Sequence, residues 1–449
     1  MTAVPALARS LGRSFLRPGS PGYDLATDIP FATPGRSPLA AARPTSTREV
    51  ATIVRGAREA GAPLAVRSGG HSRRGIVDGA LTLDMRGLDQ LSMDPDSRIA
   101  TVGGGVLAAD YLAAAHEHGL TTGFGDAPTV GIAGITLGGG VGFLTRRDGL
   151  SIDNLRSAEV VLADGSVIMA GPDEHPELFW ALRGGGGNFG VVTQLSFDLH
   201  PAGTVAGGML AVPATAEVLA GAIRAVRTGP RELGAMLNLM AAPPVPWLPE
   251  RLHGAPVLVM ALCYSGAPED APSVLDPLRQ LGEPALDTVG PTPYPELIKG
   301  PPPAPAKLHP VVRSGFVDGA DASWAAAALE ALGRRATDMA AVQIRFLGGA
   351  VAEVAEDATA FAHRQREATV AVVAATADPG QLEPARQWAD ATEQALGLTG
   401  RYPNFLSDPT TEEDVAAAYP GETLTRLREV KRAYDPDNTF FSALNIAPL

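Results

Sequence analysis

Between residues 45 and 200, short apolar runs alternate with helical windows. Ser46-x-x-Glu49 is a capping-box pattern that opens a helix over Arg48–Ala60, and Gly61 stands where a C-terminal stop is expected. A strand at Pro63–Arg67 follows, then strands at Leu81–Asp84 and Ile99–Val102 and a helix from Val106 to His118 that Gly119 ends. Glu159–Ala163 and Ser166–Ala170 are β-prone runs joined through Asp164-Gly165, a hairpin signal, and Gly190–Leu199 closes the region as a strand. From about 204 to 395 the texture changes. Strand-like runs at Met236–Met240, Val257–Tyr264, Ala341–Gly348 and Thr369–Ala375 are separated by Ala-rich helical windows near 216–227, 322–334 and 380–395. That pattern predicts an antiparallel sheet covered by helices, so the fold class is α+β. Pro291 to Pro310, with Pro301-Pro302-Pro303, reads as a loop, and the chain closes with a helix Leu424–Tyr434 and a turn Asp435–Asn438.

Composition narrows the function classes. The 449 residues are long enough for two or three domains, and 45% hydrophobic with 19% charged content is ordinary for a globular protein. A net charge of −13 with no basic block disfavours nucleic acid and anionic membranes as partners. The one cysteine, Cys263, lies inside an apolar run and reads as a small buried hydrophobe, since a lone thiol can build neither an internal disulfide nor a thiolate metal site. The N-terminus lacks an uninterrupted apolar stretch, which makes a cytoplasmic protein the expectation.

Chemistry concentrates in the glycine runs. Arg67-Ser68-Gly69-Gly70-His71-Ser72 follows the strand at 63–67, and a second run, Gly131-x-x-Gly134-x-x-x-Gly138-Gly139-Gly140-x-Gly142, comes later. Adjacent glycines let a backbone approach a ligand closely and aim successive N–H groups at an anion. Two such runs, one tipped with an imidazole, point to a pyrophosphate-bearing cofactor held by loop N–H groups, neither run obviously starting a helix. Gly185–Gly190 satisfies G-x-G-x-x-G, but a helical segment precedes it and position 210 is Leu, so a dinucleotide-binding Rossmann unit is rejected. The first run lacks the Lys-Ser/Thr ending of a P-loop. His116 and His118 diverge on a helix, the remaining histidines are isolated, and no metal site is expected.

A family resemblance rests on five pieces in order: Arg67–Ser72; Pro128-Thr129-Val130 with the second glycine run; Gly149-Leu-x-x-Asp153-Asn154; Phe179–Thr193; and Tyr402-x-Asn404 with Tyr434-Asp-Pro-x-Asn438. Together they resemble the berberine-bridge-enzyme-like FAD-linked oxidases of the vanillyl-alcohol-oxidase fold. The resemblance implies a two-lobed FAD-binding domain of the PCMH type over 1–203, a substrate domain over 204–396 and a C-terminal segment, 397–449, returning to the FAD domain. It implies that His71 joins the 8α-carbon of FAD. Many members add a cysteine where this chain has Ala127, so one covalent bond is expected rather than two. Val130 matches a position that gates oxygen, where a small residue goes with the oxidases. The cofactor-contacting set carried over is Arg67, Ser68, Gly69, Gly70, His71, Ser72, Val130, Gly131, Gly134, Gly138, Gly139, Gly142, Val192, Tyr402 and Asn404.

The resemblance therefore implies an oxidase that takes a hydride from a small molecule (an alcohol, a sugar or a secondary metabolite) and passes electrons to O2. Removing the coupled proton needs a base. Tyr402 is the first candidate, with Glu353 a second on the sheet expected over the flavin, where Gln343 and Arg345 share a strand face by period-two spacing. The alternatives are a biosynthetic oxygenase or cyclase of the same fold, and a redox-inactive flavin- or carbohydrate-binding relative. A monomer or homodimer is expected.

Overall fold

A computed structural model describes residues 8–449 apart from 10, 247, 301–305, 407–409 and 442–443; the Pro301–Pro303 run lies outside the described residues. Two small sheets carry the glycine loops. The first orders its strands Phe15–Leu16, Ala40–Ala42, Leu81–Asp84 and Leu64–Arg67, the last three mutually parallel. The second is antiparallel, in the order Leu91–Asp94, Ile99–Gly103, Val191–Asp198, Leu155–Val161, Val167–Ala170. The Asp164-Gly165 hairpin forms with a three-residue loop: Leu162 N donates to the Ser166 carbonyl, Gly165 N donates to the Leu162 carbonyl, and Gly165 takes the positive φ of 79° that closes such a loop.

The helix Thr47–Glu59 starts on Ser46, whose hydroxyl accepts the Glu49 N–H at 3.3 Å. The reciprocal half of the box is displaced by one residue, because the Glu49 carboxylate accepts from Thr45 N at 2.8 Å instead. A further departure from expectation bears on the site. The second glycine run does open a helix, Ile132–Leu137, with Gly131 as its N-cap.

Residues 204–376 build one eight-stranded antiparallel sheet. Leu286–Asp287 and Gly290–Pro293 both pair with Thr204–Pro213, followed by Pro256–Tyr264, Leu233–Ala241, Met339–Phe346, Ala368–Thr376 and His309–Val317. The stretch expected to be a loop after Pro291 thus contributes a short strand and then a 3-10 turn, Tyr294–Ile298. Helices Ala216–Thr228, Ala322–Gly333 and Leu382–Ala395 pack on one face, where Val342, Ile344, Val370 and Val372 meet Ile223, Leu332 and Trp388 in a common core. Successive side chains on a strand point to opposite faces. Ala341, Gln343, Arg345, Ala371 and Val373 therefore point away from the helices, toward the glycine loops.

The C-terminal segment is tied back by a buried ion pair. Lys431 and Asp435, one turn apart across the end of helix Glu422–Tyr434, are both fully buried. The ammonium donates to Asp435 Oδ2 at 2.6 Å, the Asn188 carbonyl at 2.7 Å and the Phe440 carbonyl at 2.9 Å, which saturates its three N–H groups. The Asp435 carboxylate also accepts from Thr439 N and Phe440 N, both at 2.9 Å. Replacing Asp435 by Ala removes the anion and leaves a buried cation uncompensated, with an expected loss of about 3–5 kcal/mol of stability. A denaturant-unfolding midpoint that does not move in Asp435→Ala would contradict this.

Candidate active site

The two glycine runs touch backbone to backbone. A Cβ on Gly69 would stand 2.2 Å from Gly131 N and 2.5 Å from the Thr129 carbonyl; one on Gly131 would stand 2.1 Å from Ser68 Oγ. Real Cβ atoms do not approach so closely, so only glycine lets these loops meet. Gly70 adds a φ of 83° at the turn into His71. Ser68 Oγ donates to the Gly104 carbonyl at 3.0 Å, and Ser72 Oγ accepts from Arg74 N at 3.2 Å. The Arg67 guanidinium turns inward to Asp84 at 3.4 Å and to the carbonyls of Ala26 and Asp28. Burial lowers its pKa to about 10, with Asp84 opposing, so it stays charged and braces the loop.

These loops border a cavity of about 480 Å³ that runs between them and the inner face of the eight-stranded sheet. Arg67, Ser68, Gly69, Gly70, His71, Ser72, Val130, Gly131, Gly134, Gly138, Val192, Tyr402 and Asn404 all line it, as does Ala127. The His71 ring faces the cavity with Nε2 2.7 Å from Thr129 Oγ1. Although the ring is open to the cavity, desolvation by the surrounding loops pushes its pKa down against the opposing pull of Asp126.

Gly139 and Gly142, expected to touch the cofactor, do not reach the cavity lining. Gly139, at a φ of 128°, packs against the Tyr402 ring, which a Cβ would meet at 3.2 Å, and Gly142 packs against the Gly125 backbone. They shape the support beneath the site. The Gly185–Gly190 run, rejected as a Rossmann loop, does enter the wall through Gly186, Gly187 and Gly190. It is stitched to the second run by the N–H groups of Gly184 and Gly186, which both donate to the Leu137 carbonyl.

Tyr402 is almost completely buried at the cavity wall. Its phenol oxygen accepts from Gly140 N at 3.1 Å, Val141 N at 3.3 Å and Asn404 Nδ2 at 3.1 Å. Asn404 Nδ2 also donates to the Ile135 carbonyl at 2.8 Å. Burial pushes the phenol above its ordinary pKa, while the three donors and Arg345 pull the other way.

Glu353 is elsewhere. Gly348 and Gly349 take positive φ and turn the chain out of the sheet into a short surface helix, Ala350–Glu353. There the Glu353 carboxylate is exposed and paired with Arg231 at 3.1 Å. It lies outside the cavity lining and is not positioned to act as a base.

Three contributors were not foreseen. Thr129 partners His71, Asp126 holds Arg345, and Phe405 lies under the Arg345 guanidinium at 4.7 Å while standing edge-on to Tyr402 at 4.9 Å. Thr129 lay inside a recognised motif, Phe405 followed directly after Tyr402-x-Asn404, and Asp126 had no signal beyond its place next to Ala127. Among the described residues, no helix is long and apolar enough to cross a membrane and no group of three or more His, Cys, Asp or Glu side chains could hold a metal.

Two family models match the sequence: one described as an FAD binding domain over residues 38–171, the other as berberine and berberine like over 401–447. The chain is 31% identical to (R)-6-hydroxynicotine oxidase of Paenarthrobacter nicotinovorans across 100% of its own length and 99% of that protein. It belongs to the berberine-bridge-enzyme-like family of FAD-linked oxidoreductases. The solved 6-hydroxy-D-nicotine oxidase of Arthrobacter nicotinovorans superposes with a TM-score of 0.86 at 28% identity, covering 97% of this chain and 98% of that one. Glucooligosaccharide oxidase of Acremonium strictum, which carries a 6-S-cysteinyl, 8α-N1-histidyl FAD, shares the fold with a TM-score of 0.85 at 24% identity over 99% of both chains. The protein is thus an FAD-dependent oxidoreductase of the oxidase family with the α+β architecture of its relatives.

The residues present fit FAD. Gly134 faces open space, with nothing within 4 Å of where its Cβ would be, and Gly187 is likewise open; both line the cavity, so each forms a cradle that a side chain would fill. Gly134→Leu should fold normally, because the helix gains a better helix former and its Cβ meets no atom within 4 Å. The same side chain would occupy the cofactor's space, so the ratio of flavin to protein absorbance should fall severalfold. Full flavin content in this variant would argue against that placement of the cofactor.

Proposed function

We propose that this protein oxidises a small molecule by hydride transfer to an FAD tethered through His71 alone, with O2 as electron acceptor. The observation that carries the reading is the Tyr402 oxygen, set in the wall of the same cavity that His71 faces and held by three N–H donors. FAD, when bound, accepts the substrate hydride at N5 and delivers two electrons to O2, giving hydrogen peroxide.

The protein's part is proton removal, alignment and cofactor retention. Two backbone N–H groups and an amide NH2 have no acceptor to offer, so they favour the phenolate over the phenol and direct the hydroxyl proton away from themselves. As phenolate, Tyr402 takes the O–H or N–H proton of the substrate, which displaces one of the three N–H donors from its oxygen, while the adjacent C–H leaves as hydride. Arg345, stacked on Phe405, adds a fixed positive charge on the same side. At His71, partial desolvation by the surrounding loops favours the neutral imidazole, whose lone pair is the nucleophile that a bond to the flavin needs. Ala127 carries no sulfur for a second bond, unlike the 6-S-cysteinyl linkage of the glucooligosaccharide enzyme. Val130 lines the cavity as a small residue on the expected oxygen side.

Air should reoxidise the photoreduced flavin within seconds and yield one peroxide per turnover. Slow reoxidation, or 18O from O2 appearing in product, would overturn the oxidase reading. Tyr402→Phe should keep its flavin and lower the rate of anaerobic flavin reduction about 10²–10⁴-fold. Because the working form is deprotonated and burial holds the phenol high, the wild-type reduction rate should climb as pH rises into the alkaline range. A rate that falls over that range would exclude Tyr402 as the base. Acid precipitation of His71→Ala should release all of its flavin to the supernatant, whereas wild-type precipitate should stay yellow.

A further inference from the structure

Three phenylalanine rings abut Tyr402, and an arginine lies over each of them. Phe405 stands edge-on to the tyrosine ring at 4.9 Å, Phe361 at 6.1 Å and Phe316 at 6.5 Å. Over the same rings lie the guanidiniums of Arg345 at 4.7 Å, Arg364 at 6.0 Å and Arg366 at 5.9 Å. Each cation is paired with an aspartate: Arg345 with Asp126 and Arg364 with Asp153, both at 2.7 Å, and Arg366 with Asp318 at 2.8 Å. The phenol thus has three ion pairs one apolar ring away.

The three pairs are not equivalent. Arg364 and Asp153 are sealed inside the protein, and Asp318 is exposed outside the cavity lining. Arg345 and Asp126 line the cavity that Tyr402 borders. Arg345 directs both Nε and Nη2 at one oxygen, Asp126 Oδ2, at 3.0 and 2.7 Å, and the pair spans from the loop before Thr129 to the strand Met339–Phe346. The other groups around the phenol are neutral or already paired. His363 is stacked on Phe316 at 4.3 Å, but burial pushes its pKa down to about 4, so it is uncharged wherever a phenol titrates. His71, in the same cavity, is likewise held toward its neutral form. Arg401, next in the chain, is turned to Glu393 at 2.7 Å and Asp414 at 3.0 Å. The second glycine run and Asn404 contribute uncharged N–H donors.

We infer, on the basis of the role proposed above for Tyr402, that Asp126 is a positioning residue: it clamps Arg345 over Phe405 and sets how much of the guanidinium charge reaches the Tyr402 oxygen. A paired guanidinium acts at a distance as a dipole, whose field falls off faster than that of a bare cation, and an apolar ring screens either one less than water would. Removing the aspartate charge leaves a bare cation, which favours the phenolate. Removing the arginine leaves a bare anion, which disfavours it. The two changes therefore move Tyr402 in opposite directions, whereas the loss of a purely structural clamp would move it the same way in both.

The test is a 13C NMR measurement on holoenzyme carrying 13Cζ-labelled tyrosine. The Tyr402 signal is the one missing from Tyr402→Phe, and its position at one alkaline pH common to all variants gives the ratio of phenolate to phenol. Asp126→Asn, which keeps the shape and one acceptor oxygen, should raise that ratio about tenfold, the scale of one uncompensated charge in a poorly screened site. Arg345→Met should lower it about tenfold, and the double variant, neutral again, should return close to wild type. Flavin content and thermal midpoint report whether each variant is folded and loaded, and Asp126→Asn decides the matter alone where Arg345→Met fails to accumulate. A ratio unchanged in Asp126→Asn, or one that moves the same way in both single variants, would overturn the proposal. The tyrosine signal needs no substrate, so it is independent of the base role, which fails separately if Tyr402→Phe reduces its flavin at the wild-type rate.

Discussion

The site is organised around a contact that no side chain could survive, the backbone of Gly69 against the backbone of Gly131. Strand Leu64–Arg67 delivers the first loop and helix Ile132–Leu137 receives the second. Because the two runs meet, His71 comes to lie beside Thr129, and Ala127 and Val130 share its cavity. The third run is drawn in through the Leu137 carbonyl, and Asn188 in turn holds the C-terminal tail through its amide and carbonyl groups. Arg67, sealed against Asp84, and Lys431, sealed against Asp435, are the charges that lock the arrangement from behind.

Function then divides between two opposed surfaces. The glycine loops offer backbone N–H groups and an imidazole, which suit an anionic cofactor with an electrophilic ring carbon. The sheet offers apolar side chains together with Asn238, Gln343 and Ser314 in one cross-strand row. Tyr402 belongs to neither surface by chain position, since it comes from the returning C-terminal segment, and its oxygen is gripped by the second glycine run through Gly140 and Val141. Tyr402, the proposed base, and the cofactor loop are thus aligned by shared hydrogen bonds, and the Asp126–Arg345 pair ties the loop to the sheet. Low local polarity strengthens each of these interactions.

How far the sequence revealed this depended on whether a signal was local. The capped helix at Ser46, the Asp164-Gly165 hairpin and the three covering helices follow from residues within a few positions of one another, and they formed with shifts of one or two residues. Helix Ile132–Leu137 was missed because a six-residue segment with a central Gly134 and the β-branched Ile132, Ile135 and Thr136 has weak intrinsic propensity, and packing against Phe124 and Leu144 in a common core stabilises it instead. Glu353 was misplaced because strand periodicity was carried through Gly348-Gly349, where two positive-φ residues turn the chain away from the sheet. Gly139 and Gly142 look like Gly134 in sequence; only the third dimension separates glycines that make room for a ligand from those that make room for Tyr402 and Gly125. The Asp126–Arg345 and Lys431–Asn188 contacts join residues more than two hundred positions apart, and no local pattern encodes them.

The proposed chemistry depends on a flavin bound to the imidazole at the meeting point of the two loops and nowhere else. Proteolysis of the purified yellow protein followed by mass spectrometry addresses it directly. The peptide containing His71 should carry the full mass of FAD, with fragment ions assigning the adduct to the imidazole and with the Ala127 peptide unmodified. FAD recovered free in the digest, or attached to any other residue, would contradict the account.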